Sequence, residues 1–255
     1  MIDLRLGNCE EEMKNLATES IDLVVTSPPY DNLRGYNSMF DVNIIAKELY
    51  RIMKIGGVVA WNVNDSIKDG SKTLTSFRQA IAFKDAGFLV NDVIIWKKTN
   101  PMPQVKQPRH NQVFEYIFVF TKGKPKTFNP LMVECKSAGQ VYDSTCKQIS
   151  NGNERAHKNF IINQYKVSDN IWEFAVSQNK TEHTAVFPIE LPIRCIETWS
   201  VVGDTVLDPF MGSGTTGIAS VSRDRNFVGI EIDKDYFNLA KNRIEDAKAH
   251  RKKLW

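Results

Sequence analysis

The chain has 255 residues, of which 42% are hydrophobic and 25% charged, and its formal net charge is +3. This length and composition fit a globular protein with one large domain, or one domain with an insertion. No apolar run approaches the ~18 residues that cross a bilayer, and residues 1–5 lack the layout of a secretion signal, so we expect a cytoplasmic protein without a membrane partner. The four cysteines form no CxxC pair and have no ligating histidines nearby, which argues against a metal site.

The first 122 residues alternate between strand-like and helix-like patterns. Residues 21–26 are an apolar, β-branched run ended by two prolines, as expected for a strand that meets a tight turn. Residues 42–53 have apolar side chains at helical spacing, and the following pair of glycines ends that pattern. The same criteria predict strands at residues 58–63, 93–96 and 116–120, and a helix at residues 77–86.

Residues 123–181 have a different composition, rich in Asn, Gln, Ser, Lys and Gly, with weak periodicity and isolated aromatic residues. A structureless loop of this length is unusual in a compact domain unless it is functional. We therefore expect an insertion or a small recognition region carried by the core.

The alternating pattern resumes in residues 182–255. Alternation of strands and helices over most of the chain implies a doubly wound α/β fold with a mostly parallel sheet. Residues 1–122 and 182–255 then form the two halves of one core, separated by the insertion. In the second half, helices are predicted at residues 188–199, 215–222 and 234–250, and strands at residues 205–208 and 227–232.

A glycine-containing turn follows the strand predicted at residues 205–208. It reads Asp208-Pro209-Phe210-Met211-Gly212-Ser213-Gly214-Thr215 and leads into the next helix. Such a turn exposes backbone N–H groups and lets a ligand approach closely. Glu231 ends the next strand, where an acidic side chain can accept hydrogen bonds from ribose hydroxyls. An ordinary βα turn or an NAD site has the same outline, but the full G-x-G-x-x-G pattern of NAD sites is absent.

A second turn, Thr26-Ser27-Pro28-Pro29-Tyr30, directly follows the strand at residues 21–26. Ligands bind at the carboxyl ends of strands in an open α/β sheet, so this turn should face the glycine turn. The double proline stiffens the backbone so that the Pro28 carbonyl can point into a site. Ser27 Oγ supplies a second acceptor, and Tyr30 an aromatic face for an extruded base. Two such acceptors would hold the N–H groups of an exocyclic amine and aim its lone pair at a methyl donor.

Together the two turns resemble those of the β group of bacterial DNA amino-methyltransferases, in which the catalytic turn precedes the cofactor turn. The resemblance spans nearly the whole chain, and the middle segment is the least matched part. It implies a circularly permuted, Rossmann-like class I methyltransferase fold with S-adenosyl-L-methionine as cofactor and double-stranded DNA as substrate. Asp208 would meet the ammonium group of the cofactor, and residues 123–181 would recognise the target sequence. The resemblance leaves open a cognate restriction endonuclease and a second copy of the chain as further partners.

Shorter stretches are similar to the same family. Gly7-Asn8-Cys9 stands where the family usually has Gly-Asp-Cys, so Asn8 would accept from the adenine amine without charge. His183-Thr184-Ala185-Val186-Phe187-Pro188 is similar to the segment that wraps the methionine end of the cofactor. The resemblance implies cofactor contacts from Asn8, Cys9, Thr184, Phe187, Asp208, Pro209, Phe210, Gly212, Ser213, Gly214, Thr215, Glu231 and Ile232.

A basic segment lies between the two turns. Trp96-Lys97-Lys98-Thr99-Asn100-Pro101 resembles the family segment that precedes a mobile loop near the target base. Residues 114–122 resemble its His-Glu-Tyr strand, with Phe114 in place of the histidine. Residues 97–126 are rich in Lys and Arg and contain one acidic residue, as expected of a surface that follows phosphates. The predicted DNA-binding residues are Lys97, Lys98, Asn100, Lys106, Arg109 and His110.

The residue before Pro28 bears on which base is methylated. In the resembling family Ser is typical of cytosine-N4 enzymes and Asp of adenine-N6 enzymes, so Ser27 favours N4 of cytosine, with N6 of adenine as the alternative. Methylation of cytosine C5 needs a cysteine nucleophile, usually after proline, and the chain has no Pro-Cys pair. A methyltransferase of RNA or protein, and an inactive DNA-binding module of the same fold, are more distant alternatives.

Overall fold

The computed structural model describes residues 1–29, 40–101, 108–142, 149–150, 153–154, 160–176 and 187–252. The chain forms two compact units, one made of Met1–Asn129 together with Asn170–Trp255 and the other of Pro130–Asp169. None of the described helices is long and apolar enough to span a membrane.

Within the described residues, the larger unit is built on an eight-stranded sheet. Its strands lie in the order β1-β8-β7-β2-β3-β5-β4-β6, and every neighbouring pair is parallel except the two that include β5. The predicted mostly parallel α/β fold is thereby confirmed. In chain order the strands are β1 (Ile2–Leu6), β2 (Ile21–Thr26), β3 (Met53–Val63), β4 (Leu89–Lys98), β5 (Phe114–Thr121), β6 (Ile171–Phe174), β7 (Thr205–Asp208) and β8 (Asn226–Glu231).

Helices cover both faces of this sheet. Leu49 and Phe83 from one set of helices share an apolar core with Val228 of β8. On the other face, Gly217 lies against Phe227 of β8 and Ile244. Successive residues of β8 therefore face opposite helical layers, which is the doubly wound arrangement. The helices of the described residues are α1 (Cys9–Glu12), α2 (Val42–Ile52), α3 (Thr75–Asp85), α4 (Glu190–Trp199), α5 (Thr215–Ser222) and α6 (Lys234–Lys252).

The sequence patterns do not predict the two edge strands, β1 and β6. Strand β6 lies within the predicted insertion, residues 123–181, yet pairs in parallel with β4. Trp172 and Phe174 of β6 are buried while the apolar Ile171 is 54% exposed, so burial alternates along the strand but the apolar residues in its sequence do not. The second unit, Pro130–Asp169, is therefore shorter than the predicted insertion at both ends.

Most predicted elements differ at their ends from the observed ones by one or two residues, whereas β3 begins five residues and β4 four residues before the predicted strands. Helix α2 ends at Ile52, because Met53 is already the first residue of β3. Helix α4 begins at Glu190, and β8 ends at Glu231, so that Ile232 lies just beyond the strand.

The second unit is a series of nested antiparallel pairs. Its apolar side chains are largely exposed, among them Phe160 and Ile161. The pairs join Met132–Glu134 to Tyr165–Val167, Val141–Tyr142 to Phe160–Ile161, and Ile149–Ser150 to Asn153–Glu154.

Candidate active site

Four parallel strands end together at one edge of the sheet. The last residues of β1 and β8, Leu6 and Glu231, are register partners, and Asp208 at the end of β7 pairs with Gly229 of β8. Thr26 ends β2 on the other side of β7. The glycine turn and the Ser-Pro-Pro turn therefore lie side by side, as their positions in the sheet require.

Strands β2 and β7 separate just before their ends. The backbone pairing between them joins Val206 to Leu23 and Leu207 to Val24, whereas β2 continues along β3 as far as Thr26. The strand that follows β7 in the chain, β8, lies on one side of this point, and the strand that follows β2, β3, lies on the other. Ligands bind in open α/β sheets at such a switch point, beyond the carboxyl ends of the strands.

A side-chain hydrogen bond spans the opening between the two strands. Thr26 Oγ1 donates to Asp208 Oδ1 at 2.6 Å, and both residues are buried. The same carboxylate oxygen accepts from the backbone N–H of Phe210 at 3.1 Å. One atom of Asp208 thus receives a donor from each of the two turns.

The Asp208 carboxyl is buried and incompletely bonded. Its second oxygen, Oδ2, has no hydrogen-bond partner among the described residues. Burial raises the pKa of Asp208 to about 6, although the hydrogen bonds from the Thr26 hydroxyl and the Phe210 N–H act to lower it. A buried acceptor without a protein partner fits a ligand donor. The contact with the cofactor ammonium group stays a prediction.

The glycine turn is closed on one side and open on the other. Gly214 has φ = +84°, and a Cβ there would lie 3.0 Å from the Cβ of Ala240 on α6. Gly212 has φ = +52°, and among the described residues a Cβ there would meet only the Phe210 carbonyl oxygen, at 3.9 Å. Both positions favour glycine because side chains rarely adopt this backbone conformation. The space beside Gly212 fits the close approach of a ligand to the backbone.

Helix α6 also holds the turn through Arg243. Its Nη1 donates to the Ser213 carbonyl oxygen at 2.6 Å, and partial burial lowers the pKa of the Arg243 guanidinium. Around this contact Pro209, Ser213 and Thr215 are buried, whereas Phe210 is half-buried. The predicted cofactor turn is therefore largely buried and bonded to α6.

The Glu231 carboxylate organises the turn from β8. Its Oε2 accepts from Gly212 N at 2.7 Å and its Oε1 from Asp233 N at 2.9 Å. Burial raises the pKa of Glu231, and these backbone hydrogen bonds oppose the rise. Each carboxylate oxygen of Glu231 has a second lone pair besides the one that accepts the backbone hydrogen bond. The predicted acceptance from ribose hydroxyls fits this arrangement and stays a prediction. The neighbouring Ile232 is 51% exposed at this edge.

Asn8 and Cys9 occupy the adjoining turn after β1. Asn8 is the N-cap of α1, and its Oδ1 accepts from Glu10 N at 2.8 Å. The oxygen predicted to meet the adenine amine therefore already has one protein donor. Cys9 is buried, and burial raises the pKa of its thiol to about 12, so it stays protonated.

The catalytic turn is described as far as Pro29. Ser27 is half-buried, Pro28 is buried and Pro29 is exposed. Beside the turn, the Phe210 ring lies 4.9 Å from Phe40 and 6.1 Å from Trp61, measured between ring centroids. Three predicted site residues, Tyr30, Thr184 and Lys106, lie outside the described residues, whereas Phe187 is described and half-buried.

One of the predicted DNA-binding residues, Lys98, forms a largely buried ion pair within the fold. Lys98 Nζ lies 2.6 Å from Glu115 Oε1, with both side chains at least four-fifths buried, and 5.3 Å from the centre of the Trp96 ring. This ion pair offsets the charge of Lys98 within the sheet. The predicted contact of Lys98 with DNA stays a prediction. The sequence could not show the ion pair, because the Lys98–Glu115 pairing forms only when β4 and β5 align.

Four other predicted DNA-binding residues belong to the described part of the chain, and Lys97 and His110 are the exposed ones among them. Lys97 forms an exposed ion pair with Glu173 at 3.1 Å. Asn100 Oδ1 accepts from Val176 N, and Arg109 Nη2 donates to the Gly70 carbonyl oxygen, each at 2.8 Å. His110 is exposed.

A split α/β sheet with a glycine turn and a Ser-Pro-Pro turn at its switch point defines a class of protein, the amino-methyltransferases. A family model described as DNA methylase, N6_N4_Mtase, matches residues 21–242. The chain belongs to this DNA methylase family. It is a DNA methyltransferase, and the RNA and protein alternatives have no support.

Individual relatives agree with this assignment. The orphan methyltransferase M.BamHII of Bacillus amyloliquefaciens is 40% identical over 245 residues, which cover 91% of this chain and 92% of that protein. The structure of the M1.HpyAVI–SAM complex is 25% identical, with a TM-score of 0.62 over 95% of this chain and 100% of that one. PvuII DNA methyltransferase, described as cytosine-N4-specific, has a TM-score of 0.72 at 19% identity over 98% of this chain and 92% of that one, a likeness of fold.

S-adenosyl-L-methionine is the methyl donor of the family, as predicted. Two features of the described residues fit it: the open space beside Gly212 and the unpartnered buried oxygen of Asp208. No group of His, Cys, Asp and Glu side chains among the described residues could hold a metal ion.

Proposed function

We propose that this DNA methyltransferase modifies the exocyclic N4 of cytosine in a base extruded from double-stranded DNA. The observation that carries the proposal is Ser27, which directly follows β2 at the switch point, one residue beyond the Thr26–Asp208 hydrogen bond. S-adenosylmethionine, when bound, supplies an electrophilic methyl group. The residues of the chain orient the amine that receives it.

Ser27 and Pro28 are the proposed acceptors. The amino nitrogen of cytosine is a poor nucleophile because its lone pair is delocalised into the ring. A hydroxyl oxygen and a backbone carbonyl oxygen that accept its two N–H groups would concentrate the lone pair on nitrogen. This role requires preorganised acceptors and no covalent intermediate. The extra proton of the methylated amine then leaves to water.

The choice of cytosine over adenine follows from the strength of the acceptor. Ser27 is a neutral acceptor, whereas the adenine-N6 enzymes resembled by the sequence usually carry a carboxylate there. A carboxylate accepts more strongly than a hydroxyl. We infer that this site suits the amine that needs less activation, and we take that amine to be N4 of cytosine.

The cofactor and DNA contacts are also proposals. Glu231 would accept from the ribose hydroxyls of the cofactor, and the backbone beside Gly212 would pack against it. Lys97, Arg109 and His110 would contact DNA phosphates, because cationic and polar side chains that stay accessible near the site supply the non-specific part of DNA affinity.

Mass spectrometry of modified nucleosides tests the proposed target base. DNA is incubated with the enzyme and S-adenosylmethionine carrying a deuterated methyl group, then digested. We expect labelled N4-methyldeoxycytidine, and labelled N6-methyldeoxyadenosine would establish the alternative target.

A serine variant tests the proposed role of Ser27. Ser27→Ala should slow single-turnover methyl transfer on the order of 100-fold, the usual effect of removing one preorganised hydrogen-bonding group, while DNA affinity changes little. Ser20→Ala is the matched control, because Ser20 precedes β2 at the opposite edge of the sheet and its hydroxyl donates to the Ala17 carbonyl oxygen, away from the site. Full turnover by Ser27→Ala would remove Ser27 from the mechanism.

A further inference from the structure

We propose that Thr26 is a positioning residue of the methyl-transfer reaction, and that its bond to Asp208 sets the spacing between the catalytic turn and the cofactor turn. The inference rests on the proposed function, in which residues 27–28 orient the amine. It concerns how the two turns are held and not which base is methylated.

The bond stands where the backbone no longer joins the two strands. Pairing between β2 and β7 ends at Val24 and Leu207, two residues before Thr26 and one before Asp208. Beyond that point each strand is held only by its outer neighbour, Thr26 by Trp61 and Asp208 by Gly229. The separation of the two turns is therefore free to vary unless side chains join them.

Two side-chain bonds join them within the described residues. Thr26 Oγ1 donates to Asp208 Oδ1 at 2.6 Å, between residues 182 positions apart in the chain. Thr216, in the first turn of α5, donates from Oγ1 to the Val25 carbonyl oxygen at 3.2 Å. The end of β2 is thus tied both to the residue that begins the glycine turn and to the helix that follows it.

The Thr26 bond also determines the charge at the junction. Asp208 is buried with one oxygen unpartnered, so its ionised form depends on the donors around Oδ1. Among the described residues, the other ionisable group that acts on Asp208 is Glu231 of β8, which raises its pKa. Because the Thr26 hydroxyl lowers the pKa of Asp208, its removal should raise that pKa further.

Replacement of Thr26 by valine tests the proposal, since valine keeps the shape and removes the donor. A misplacement of about 1 Å costs on the order of 100-fold in rate, so we expect T26V to slow single-turnover methyl transfer by at least about tenfold. The acidic limb of its pH profile should move to higher pH, because a carboxyl with a raised pKa is protonated earlier as pH falls. T26S, which retains the hydroxyl, should restore both the rate and the profile.

Thr121→Val is the matched control. Thr121 is equally buried at the end of β5, and its hydroxyl has no hydrogen-bond partner among the described residues. We expect T121V to keep the wild-type rate and pH profile. If T26V fails to fold, T26A is compared with T26S, which differs from it by the hydroxyl alone. Equal rates and profiles for T26V and T121V, or for T26A and T26S, would overturn the proposal.

The assay separates this inference from the proposed target base. Methyl incorporation is measured without regard to the modified base. Labelled adenine with a slow T26V variant would refute the cytosine assignment and keep the role of Thr26. Labelled cytosine with a fully active T26V variant would keep the cytosine assignment and refute the role of Thr26.

Discussion

Gly214→Ala tests the contact between the cofactor turn and helix α6. An added Cβ would lie 3.0 Å from the Cβ and 3.1 Å from the Cα of Ala240, and 3.2 Å from Cδ1 of Ile244. The left-handed backbone at φ = +84° costs a residue other than glycine about 1–2 kcal/mol, and overpacking adds about 1–3 kcal/mol. We therefore expect the free energy of unfolding to fall by roughly 2–5 kcal/mol.

Gly203→Ala separates these two costs. Gly203 has φ = +88°, and a Cβ there would meet no atom of the described part of the chain within 4 Å. This variant should lose only the conformational part, about 1–2 kcal/mol. Urea unfolding followed by circular dichroism, extrapolated to zero denaturant, measures both variants. If the two glycines lose the same stability, the close approach of α6 is not what requires glycine at position 214.

Two further changes address the buried charges. Lys98→Met leaves Glu115 buried without its cation, so urea titration should show that the free energy of unfolding falls by roughly 3 kcal/mol. The double variant Lys98→Met with Glu115→Leu should largely recover this loss. Equal losses in the single and double variants would show that the ion pair is not the cause. Burial raises the pKa of Asp208 from 3.8 to about 6, so its contribution to stability is fully present below the unfolded pKa and falls as pH rises from about 4 to 6. The free energy of unfolding of Asp208→Asn should therefore exceed that of the wild type by up to about 3 kcal/mol at pH 8 and by much less near pH 4. Methyl transfer should slow in the same variant. A stability gain that does not change with pH would contradict the raised pKa of Asp208.

The secondary structure of the core was predictable where the pattern is local. Strand β7 and helix α5 have the predicted bounds, because a short apolar run before a glycine turn and the helix after it are adjacent in the chain. The edge strands β1 and β6 were not predictable in this way. Each has a single strand neighbour, so burial leaves a weaker pattern in its sequence.

The features of the site also divide into those that local sequence predicts and those that it does not. The two turns could be recognised because proline stops a strand and glycine permits a positive φ wherever the rest of the chain lies. The partners of Glu231 and Lys98 could not, because Glu231 bonds Gly212 N and Lys98 pairs with Glu115 only when separate elements come together. One sequence feature could have indicated the role of Arg243, namely its place on α6 three residues after Ala240, which is buried.

The amino-acid sequence by itself determined the α/β class and the two turns, since these follow from residue types at short spacing, and the resemblance of the turns to those of DNA amino-methyltransferases implied the methyl donor. Only the tertiary structure decided that β2 and β7 part before their ends and that Thr26 and Asp208 meet across the opening. The physical reason is that a buried hydroxyl and a buried carboxylate so far apart in the chain become partners only through the order of strands in the sheet.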